Sequence, residues 1–425
     1  MDRVYQSRIA DAELRQKLVV GAVLIKGPKW CGKTWTAEEQ ANSFLLMDDP
    51  DHKEQNIALA KNSPRIALEG DTPRLIDEWQ LVPKLWDAVR FEVDKRGKPA
   101  QFILTGSAVP ADMSEVDHSG TGRIATLLMR PMSLFESGES DGSVSLSELF
   151  NSPSEISGTC PLGLKKLAFV CCRGGWPKSI SYTDNDALTL SKAYYDGLIE
   201  NDISRVDRVK RNSVIASRIL RSYARFQGQQ ATFENIKKDT AAGDGIPVGI
   251  DTVYDYTDAF RKLFVIEDSP AWNPNLRSKS AIRTSDTRYF VDPSIATQAL
   301  GVSPDDLIQD LHTFGFIFET LCIRDLRIYA ESIGKHVSHY RDSSGLECDA
   351  VIHSQDGKYG LIQIKLGSDD ETIEDASGRL KDLEEVLDDT TMSKPAFKMV
   401  LVGNAPYAYL RRDGVYVVPI GCLKP

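Results

Sequence analysis

The stretch Gly27–Trp35, GPKWCGKTW, contains the residue types of a phosphate-binding loop. Gly27, Gly32, Lys33 and Thr34 satisfy the pattern G-x-x-x-x-G-K-[ST]. In such a loop glycines let backbone N–H groups point at phosphates, the lysine reaches the β- and γ-phosphates, and the threonine hydroxyl binds Mg²⁺. The pattern predicts that ATP is bound by the whole stretch, which comprises Gly27, Pro28, Lys29, Trp30, Cys31, Gly32, Lys33, Thr34 and Trp35.

Three residues inside this loop allow other interpretations. Cys31 has no second cysteine or histidine near it in sequence, so a small packed residue explains it more simply than a redox or metal site. Trp30 and Trp35 are interpreted as packing or partner-contact residues, at a surface where a lid could close over the nucleotide. The plain alternative for the whole pattern is a buried turn with a surface lysine.

Hydrolysis needs more than a phosphate cradle, and two later strand ends provide candidates. Asp77 and Glu78 follow the apolar pair Leu75 and Ile76. This placement suits Asp77 for Mg²⁺ coordination and Glu78 as the base toward the attacking water. The stretch FILTGS brings Thr105 and Ser107 to the next strand end, where a hydroxyl could sense the γ-phosphate, although an ordinary strand-to-loop turn explains it equally well.

Phosphoryl transfer also benefits from an arginine near the developing negative charge. Arg123 follows a glycine-flanked loop, and Arg130 precedes Pro131 at a predicted strand end. We predict Arg123 as the charge-stabilising residue, acting within the chain or from a neighbouring subunit.

These residues must be positioned by alternating strands and helices, which the pattern between residues 20 and 135 predicts. VVGAVLIKG, SFLLMDD, RLIDEWQ and QFILTGS are apolar, β-rich runs, whereas KTWTAEEQA and LVPKLWDAVRFEVDKRG fit helices. Short buried strands separated by helices indicate an α/β fold with a parallel sheet covered on both faces.

The rest of the chain has a different pattern. A Pro/Ser/Gly-rich stretch, ESGESDGSVSLSELFNSPSEISGT, is followed by helical patterns and by a helix-turn-helix-like unit whose helices open near Thr232 and Asp251. That unit runs into a strand, the outline of a winged helix. From about Asp305 a helix, three strands, an amphipathic helix bearing Ile373 and Leu380, and a further strand are predicted.

Taken in order, these stretches resemble a family. GPKWCGKT, LIDEWQLVP, FILTGS, GGWP, YYDGLIENDISR and YRDSSGLECDAVI look like the bacterial and archaeal AAA-type ATPases that carry a C-terminal domain of unknown function. The resemblance implies a P-loop AAA-like domain over residues 1–145, a helical and winged-helix domain over 146–304, and a restriction-endonuclease-like α/β domain over 305–425. For the last domain it implies a fold similar to PD-(D/E)xK nucleases.

Nucleases of that fold hold Mg²⁺ with carboxylates and use a lysine to stabilise charge or activate water. Glu319, Asp349 and Lys365 fall in the corresponding places, and the resemblance predicts Glu319, Asp349 and Gln363 as metal ligands. Gln363 stands where glutamate is expected, which weakens Mg²⁺ affinity; Glu347 could restore a carboxylate. The alternative is that Asp349 and Lys365 form a buried ion pair in an inactive fold.

Composition limits the functional classes. The 425 residues carry a net charge of −10, which argues against a general polyanion binder but not against a local basic patch. Such a patch lies between Arg205 and Arg225, with Arg208, Lys210, Arg211, Arg218 and Arg221 against the single acid Asp207. It could meet nucleic acid, or it could be a solvated face that pairs with acids elsewhere. Acidic residues on the second helix of the winged-helix-like unit favour a lid or protein-contact module.

The seven cysteines are scattered, and no run approaches the ~20 apolar residues that span a bilayer. No secretory signal is found, so we expect a cytoplasmic protein without a membrane segment. Three functions remain open: an Mg²⁺-dependent ATPase that moves its other domains, an ATP-gated nuclease, and a nucleotide-dependent regulator without turnover. A protein partner or a homo-oligomer is compatible with each.

Overall fold

A computed structural model of the chain describes residues 5–106, 119–207, 209–241, 247–273, 285–388 and 393–425. The chain forms two compact units. Unit 1 contains residues 1–131, 197–213 and 258–265, and unit 2 contains residues 132–196, 214–257 and 266–425. This division does not coincide with the expected boundaries at 145 and 304, because the chain returns to unit 1 twice. The three-domain division stays a prediction.

Unit 1 is built on a parallel sheet, which in the described residues has five strands in the order β2-β3-β4-β1-β5. The strands are β1 (Ala22–Lys26), β2 (Ser43–Leu46), β3 (Arg74–Asp77), β4 (Phe102–Gly106) and β5 (Ile124–Leu128). The helices are α1 (Ile9–Lys17), α2 (Lys33–Glu38), α3 (Lys53–Asn62), α4 (Pro64–Ala67) and α5 (Leu85–Arg96). Short 3₁₀ turns occupy Leu18–Val20 and Trp79–Leu81.

Both faces of this sheet are covered by apolar side chains. Successive residues of a strand point to opposite faces, so Val23 and Ile25 pack with Leu14 of α1 and Ala37 of α2. The opposite face packs against α3, α4 and α5 through Ala60, Ala67, Leu85, Trp86, Val89 and Val93. The predicted parallel α/β core is confirmed.

The carboxyl ends of the strands in unit 1 meet at one edge of the sheet. Register pairs Lys26 with Gly106 and with Leu128, and Asp77 with Thr105. The loop after β1, the acidic pair after β3 and the polar end of β4 therefore lie side by side, as strands in a parallel sheet require.

Unit 2 contains most of the helices. They are α6 (Leu146–Leu149), α7 (Leu164–Arg173), α8 (Pro177–Ile180), α9 (Asp184–Gly197), α10 (Ser213–Arg225), α11 (Phe233–Ala241), α12 (Ile250–Lys262), α13 (Pro293–Leu300), α14 (Pro304–Gln309), α15 (Leu311–Ser332) and α16 (Asp370–Asp388). Helices α9, α10 and α12 begin or end in unit 1.

The C-terminal part of unit 2 is a mixed sheet, with seven strands among the described residues in the order β7-β12-β13-β11-β10-β9-β8. Its strands are β7 (Gly158–Thr159), β8 (His336–Arg341), β9 (Glu347–His353), β10 (Tyr359–Lys365), β11 (Phe397–Val402), β12 (Tyr407–Leu410) and β13 (Val415–Pro419). A separate pair joins β6 (Val144–Ser145) and β14 (Leu423–Lys424). The predicted amphipathic helix is α16, whose residues Ile373, Ala376, Leu380, Leu383 and Leu387 pack in the core of this sheet.

In the middle of the chain, helices α10, α11 and α12 are followed by antiparallel bridges between Ile266 and Phe290 and between Ser269 and Thr287. The Thr232 hydroxyl accepts the N–H of Asn235 at 3.2 Å and caps α11. This order of elements is the one a winged helix requires, and the winged-helix assignment stays a prediction. Across the described ranges, no helix has both the length and the apolar character needed to cross a membrane.

Candidate nucleotide-binding site

The loop between β1 and α2 has a backbone that only glycine fits at two points. Gly27 has φ of 152°, and a Cβ there would lie 2.0 Å from the carbonyl oxygen of Met129. Gly32 has φ of 100° and precedes the first turn of α2. The loop therefore folds tightly against the end of β5, with its N–H groups near a helix N-terminus, the arrangement that binds phosphate.

The loop lysine lies inside this turn. Lys33 is 6% exposed, and its Nζ donates to the carbonyl oxygens of Gly27 at 3.0 Å and Pro28 at 2.7 Å. The ammonium group is held by the backbone of the loop, and phosphate oxygens are acceptors of the same kind with more negative charge.

Asp77 joins the loop to the neighbouring strands. Its Oδ1 accepts the hydroxyl of Thr34 at 3.1 Å and also the hydroxyl of Thr105, which is fully buried at the end of β4. A carboxylate and hydroxyls are the hard oxygen donors that Mg²⁺ prefers, so these residues fit the predicted metal. The sensor candidate Ser107 lies outside the described residues.

Glu78 follows Asp77 directly but leaves the extended conformation of β3. It has φ of 54°, in the left-handed region, and precedes the turn Trp79–Leu81. Burial raises the pKa of Glu78, Asp77 adds to the effect, and Lys33 and a hydrogen bond from the Gln80 amide oppose it. A carboxylate whose pKa is raised toward neutral pH is a better base toward water than an ordinary glutamate.

Sequence reasoning missed the residue that supports the loop from behind, Arg8. Its guanidinium donates to the carbonyl oxygens of Cys31 at 2.7 Å and Arg130 at 2.9 Å. Asp11 accepts the backbone N–H of Arg8 at 2.8 Å. Cys31 is fully buried and donates its thiol to Met129 at 3.4 Å, the environment of a packed residue. A single arginine before a helix matches no sequence motif, so the sequence gives no signal for the role of Arg8.

A second missed residue is Asp202, which contacts the loop from a distant part of the chain. Asp202 ends a π-helical turn, Leu198–Asp202, that belongs to unit 1. Its carboxylate pairs with Lys29 Nζ at 2.6 Å.

Trp30 and Trp35 are 43% and 36% exposed, so the loop presents aromatic surface on the side predicted for a lid or partner.

The structure does not bring Arg123 to this site. Arg123 directly precedes β5, and its carbonyl accepts the N–H of Ala22 at the start of β1, so it lies at the opposite edge of the parallel sheet. Its side chain donates to Asp94 at 2.7 Å. A role for Arg123 within its own chain is therefore excluded by the direction of the strands, and only the neighbouring-subunit form stays a prediction. Arg130 lies at the edge that carries the loop, and is 4% exposed.

The C-terminal candidates form a different arrangement. Glu319 on α15 accepts the hydroxyl of Tyr289, and burial together with Asp349 raises the pKa of Glu319 to about 8. Burial also raises the pKa of Asp349, whose Oδ2 accepts the N–H of Ile364 at 2.7 Å. They line a cavity of about 30 Å³, which has room for roughly one water molecule.

This arrangement does not fit the predicted Mg²⁺ site. The Gln363 amide donates to the carbonyl of Glu347 at 2.7 Å, and Glu347 itself lies 3.4 Å from Arg341. The described residues contain no group of three or more His, Cys, Asp or Glu side chains able to hold a metal ion. The expected ligands Glu319, Asp349 and Gln363 are instead engaged by a hydroxyl and by the backbone.

Part of the basic patch is paired. Arg211 binds Asp207 at 2.6 Å, Arg225 binds Asp239 at 2.9 Å, and Arg218 donates to the carbonyl of Thr240. Arg208 lies outside the described residues. These contacts favour the solvated, paired face over a free polyanion surface, and nucleic-acid binding stays a prediction.

Three stretches of the chain match known families. Residues 20–137 match a family described as AAA domain. Residues 164–306 and 314–423 match two domains of unknown function, DUF8612 and DUF4143. The first match covers the five-stranded sheet and the phosphate-binding loop, whereas the other two family descriptions assign no activity.

Whole-chain relatives are distant. Two uncharacterized proteins, from Mycobacterium tuberculosis and Mycobacterium bovis, are each 22% identical over 416 residues, covering 94% of this chain and 86% of theirs. The Walker-type ATPase PABY2304 of Pyrococcus abyssi is 13% identical, with a TM-score of 0.41 over 69% of this chain and 96% of its own. The ORC1 protein of Aeropyrum pernix, solved with DNA, is 12% identical, with a TM-score of 0.23 over 72% and 95%.

Structural likenesses this weak carry no functional argument. The AAA match and the geometry of the loop together support an AAA-type, P-loop ATPase-like domain at the N-terminal part of this chain.

Proposed function

We propose that the protein binds ATP and hydrolyses it with Mg²⁺ at the edge of the unit 1 sheet. The observation that carries the proposal is the convergence of Lys33, Thr34, Asp77 and Glu78 at one sheet edge, joined by the hydrogen bond from Thr34 to Asp77. A phosphate cradle, oxygen donors for a hard cation and a carboxylate with a raised pKa are the parts that phosphoryl transfer to water needs.

Each residue has a role that follows from its surroundings. The loop N–H groups and Lys33 bind the β- and γ-phosphates, and Thr34 and Asp77 hold Mg²⁺, which when bound neutralises charge on the phosphate oxygens. Glu78 accepts a proton from the attacking water. Thr105 orients Asp77 through the hydrogen bond it donates to the same carboxylate.

The ion pair between Lys29 and Asp202 supports a coupling of the nucleotide to the helices that follow. Lys29 is part of the phosphate-binding loop, and Asp202 belongs to a segment that continues at both ends into helices of unit 2. Phosphates bring negative charge next to Lys29 and compete with Asp202 for it. The ATP cycle therefore makes and breaks this contact, and the segment 197–213 moves with it.

The two alternatives have less support. The nuclease hypothesis lacks a metal-ligand set among the described residues of the C-terminal domain. A regulator without turnover needs no general base, yet Glu78 lies beside Asp77 with its pKa raised by burial.

ATP turnover by the full chain tests the proposal. We expect Mg²⁺-dependent phosphate release by the wild type, loss of ATP binding in Lys33→Ala, and retained binding with turnover reduced at least ~100-fold in Glu78→Gln. Glu69→Gln is the matched control, because Glu69 is an exposed glutamate of the same unit.

Two results would contradict the proposal. Wild-type protein that binds ATP in calorimetry without releasing phosphate would favour the regulator. Glu78→Gln protein that releases phosphate at the wild-type rate would remove Glu78 from the reaction.

A further inference from the structure

The cysteines of this chain fall into two chemical classes. Cys171, Cys322 and Cys348 are fully buried, and burial raises the pKa of each thiol. Cys172 belongs with them, because burial raises its pKa to about 12. Cys160 differs, since it is partly exposed and its pKa is lowered to about 7. A thiol that is accessible and ionised near neutral pH is the reactive kind.

Cys160 has a cysteine neighbour that is distant in sequence. Cys160 follows β7, and its N–H donates to the carbonyl of Pro406 at 2.8 Å. Cys422 ends the 3₁₀ turn Ile420–Cys422 immediately before β14 and is buried. The residue before Cys422, Gly421, lies against the sulfur of Cys160, and Gly158, two residues before Cys160, lies against the sulfur of Cys422. Both residues lie in unit 2.

Two glycines leave the room that this pair occupies. A Cβ on Gly421 would lie 2.6 Å from the sulfur of Cys160. A Cβ on Gly158 would lie 3.3 Å from the sulfur of Cys422 and 2.1 Å from the hydroxyl of Ser143. The backbone on both sides of the pair therefore closes directly onto the sulfur atoms and keeps them together.

The charge distribution favours a thiolate on Cys160 and a thiol on Cys422. The neighbouring Cys422 thiol is the largest cause of the lowered pKa of Cys160. Burial opposes it, and the N–H groups of Leu162 and Gly421 assist it. The Cys160 thiol and burial raise the pKa of Cys422, while the Ser143 hydroxyl opposes them. Asp141 is the charged group that faces both sulfurs, and it raises the pKa of each.

We propose that Cys160 is a site of oxidative modification by peroxides and that Cys422 is its resolving partner. The Cys160 thiolate attacks one oxygen of hydrogen peroxide, and the O–O bond breaks. Cys160 becomes a sulfenic acid, and the hydroxide that leaves takes up the proton that the Cys160 thiol had released. Cys422 then gives up its proton and attacks the Cys160 sulfur, and water leaves as the disulfide forms. Two thiols and one peroxide yield one disulfide and two water molecules.

The disulfide ties two strand ends of unit 2 covalently. β7 pairs with β12, and β14 pairs with β6. Cys160 and Cys422 adjoin β7 and β14, so the bond fastens the C-terminal strand to the edge of the seven-stranded sheet. A thiol reductant reverses the modification by attacking the disulfide at the sulfur of the partly exposed Cys160.

The test treats the full-length protein with a stoichiometric amount of hydrogen peroxide at pH 7 and maps disulfides by mass spectrometry of non-reduced peptides. We expect a Cys160–Cys422 cross-link that dithiothreitol removes. We also expect Cys160 in untreated protein to be alkylated by iodoacetamide about tenfold faster than a thiol of ordinary pKa. Cys422→Ser protein should instead accumulate a dimedone-reactive sulfenic acid on Cys160.

Cys160→Ser protein should form no cross-link, and Cys172→Ser, which removes a buried cysteine, should cross-link like the wild type. Unchanged melting temperatures of the reduced variants show that the fold is retained. The proposal is overturned if peroxide oxidises the buried cysteines as readily as Cys160, or if Cys422→Ser protein resists oxidation at Cys160. It is also overturned if the wild type forms a sulfenic acid there without any cross-link to Cys422.

Discussion

The chain gathers carboxylates in two regions, and the two regions use them differently. In unit 1, Asp77 accepts hydroxyls from two neighbouring elements, beside a loop whose N–H groups and Lys33 supply positive potential. In the C-terminal domain, Glu319 and Asp349 are partly buried and accept hydrogen bonds from Tyr289 and Ile364, and Asp349 adds to the burial that raises the pKa of Glu319.

The difference shows that residue types in a plausible order do not define a site by themselves. A carboxylate beside positive charge and hydroxyl donors stays ionised and can serve a cation, whereas a buried carboxylate short of countercharge retains its proton. At the phosphate-binding edge Asp77 accepts two hydroxyls near Lys33, whereas burial and Asp349 raise the pKa of Glu319 beside its cavity.

The largest effect is expected from Gly27→Ala. A Cβ at position 27 would lie 2.0 Å from the Met129 carbonyl, so the loop must shift and its N–H groups lose their alignment. We expect ATP affinity to fall at least ~100-fold and the free energy of unfolding to fall by about 2 kcal/mol or more. Calorimetric titration and urea unfolding measure the two effects.

Gly97→Ala is the matched control. Gly97 also has a positive φ, 58°, but its Cβ would meet nothing within 4 Å. Only the backbone strain, about 1 kcal/mol, should appear there, with ATP binding unchanged. Equal losses of affinity in both variants would mean that the close approach to Met129 does not matter.

A second prediction concerns the pH dependence of stability at Glu319. Its folded pKa of about 8 lies above the ordinary value of 4.5, so the folded state keeps a proton that the unfolded chain releases. This contribution is complete below pH ~4.5 and is lost as pH rises through ~8. Glu319→Gln should remove that slope and raise the free energy of unfolding above pH 8 by on the order of 2 kcal/mol.

Glu371→Gln, at an exposed glutamate of the same domain, should leave the pH profile unchanged. The measurement is urea unfolding between pH 5 and 9. A Glu319→Gln profile parallel to that of the wild type would show that Glu319 is ionised in the folded protein.

A smaller effect is expected from Asp202→Asn. Breaking the pair with Lys29 leaves the ammonium group free for phosphate, and a partly exposed ion pair contributes about 1 kcal/mol. ATP should therefore bind about fivefold more tightly, as measured by titration at constant ionic strength. Glu200→Gln, in the same π-helical turn, should have no effect, and weaker ATP binding by Asp202→Asn would contradict competition between Asp202 and phosphate.

The smallest effect is expected from Arg123→Ala. Because Arg123 lies at the far edge of the sheet, we expect less than a twofold change in turnover at protein concentrations where the chain is monomeric. Turnover measured against protein concentration separates the alternatives. A loss that appears only at high concentration would assign Arg123 to a neighbouring subunit, and a loss at every concentration would contradict its placement.

Sequence patterns predicted the local parts of this molecule well. The strands, the loop after β1 and the helix α16 follow from apolar periodicity and glycine placement, which act over a few residues. Arg8 and Asp202 could not be predicted, because their partners are 23 and 173 positions away. The direction of β5, which removes Arg123 from the loop, follows from strand order and not from spacing. The raised pKa of Glu319 likewise depends on burial, which residue spacing does not report.

Manganese binding tests the contrast between the two regions most directly. Mn²⁺, an oxygen-binding substitute for Mg²⁺, can be counted by electron paramagnetic resonance with and without a non-hydrolysable ATP analogue. We expect one Mn²⁺ per chain that depends on the nucleotide, is lost in Asp77→Asn, and is unaffected by Asp349→Asn. A Mn²⁺ ion that binds without nucleotide and is lost in Asp349→Asn would place the metal site in the C-terminal domain instead.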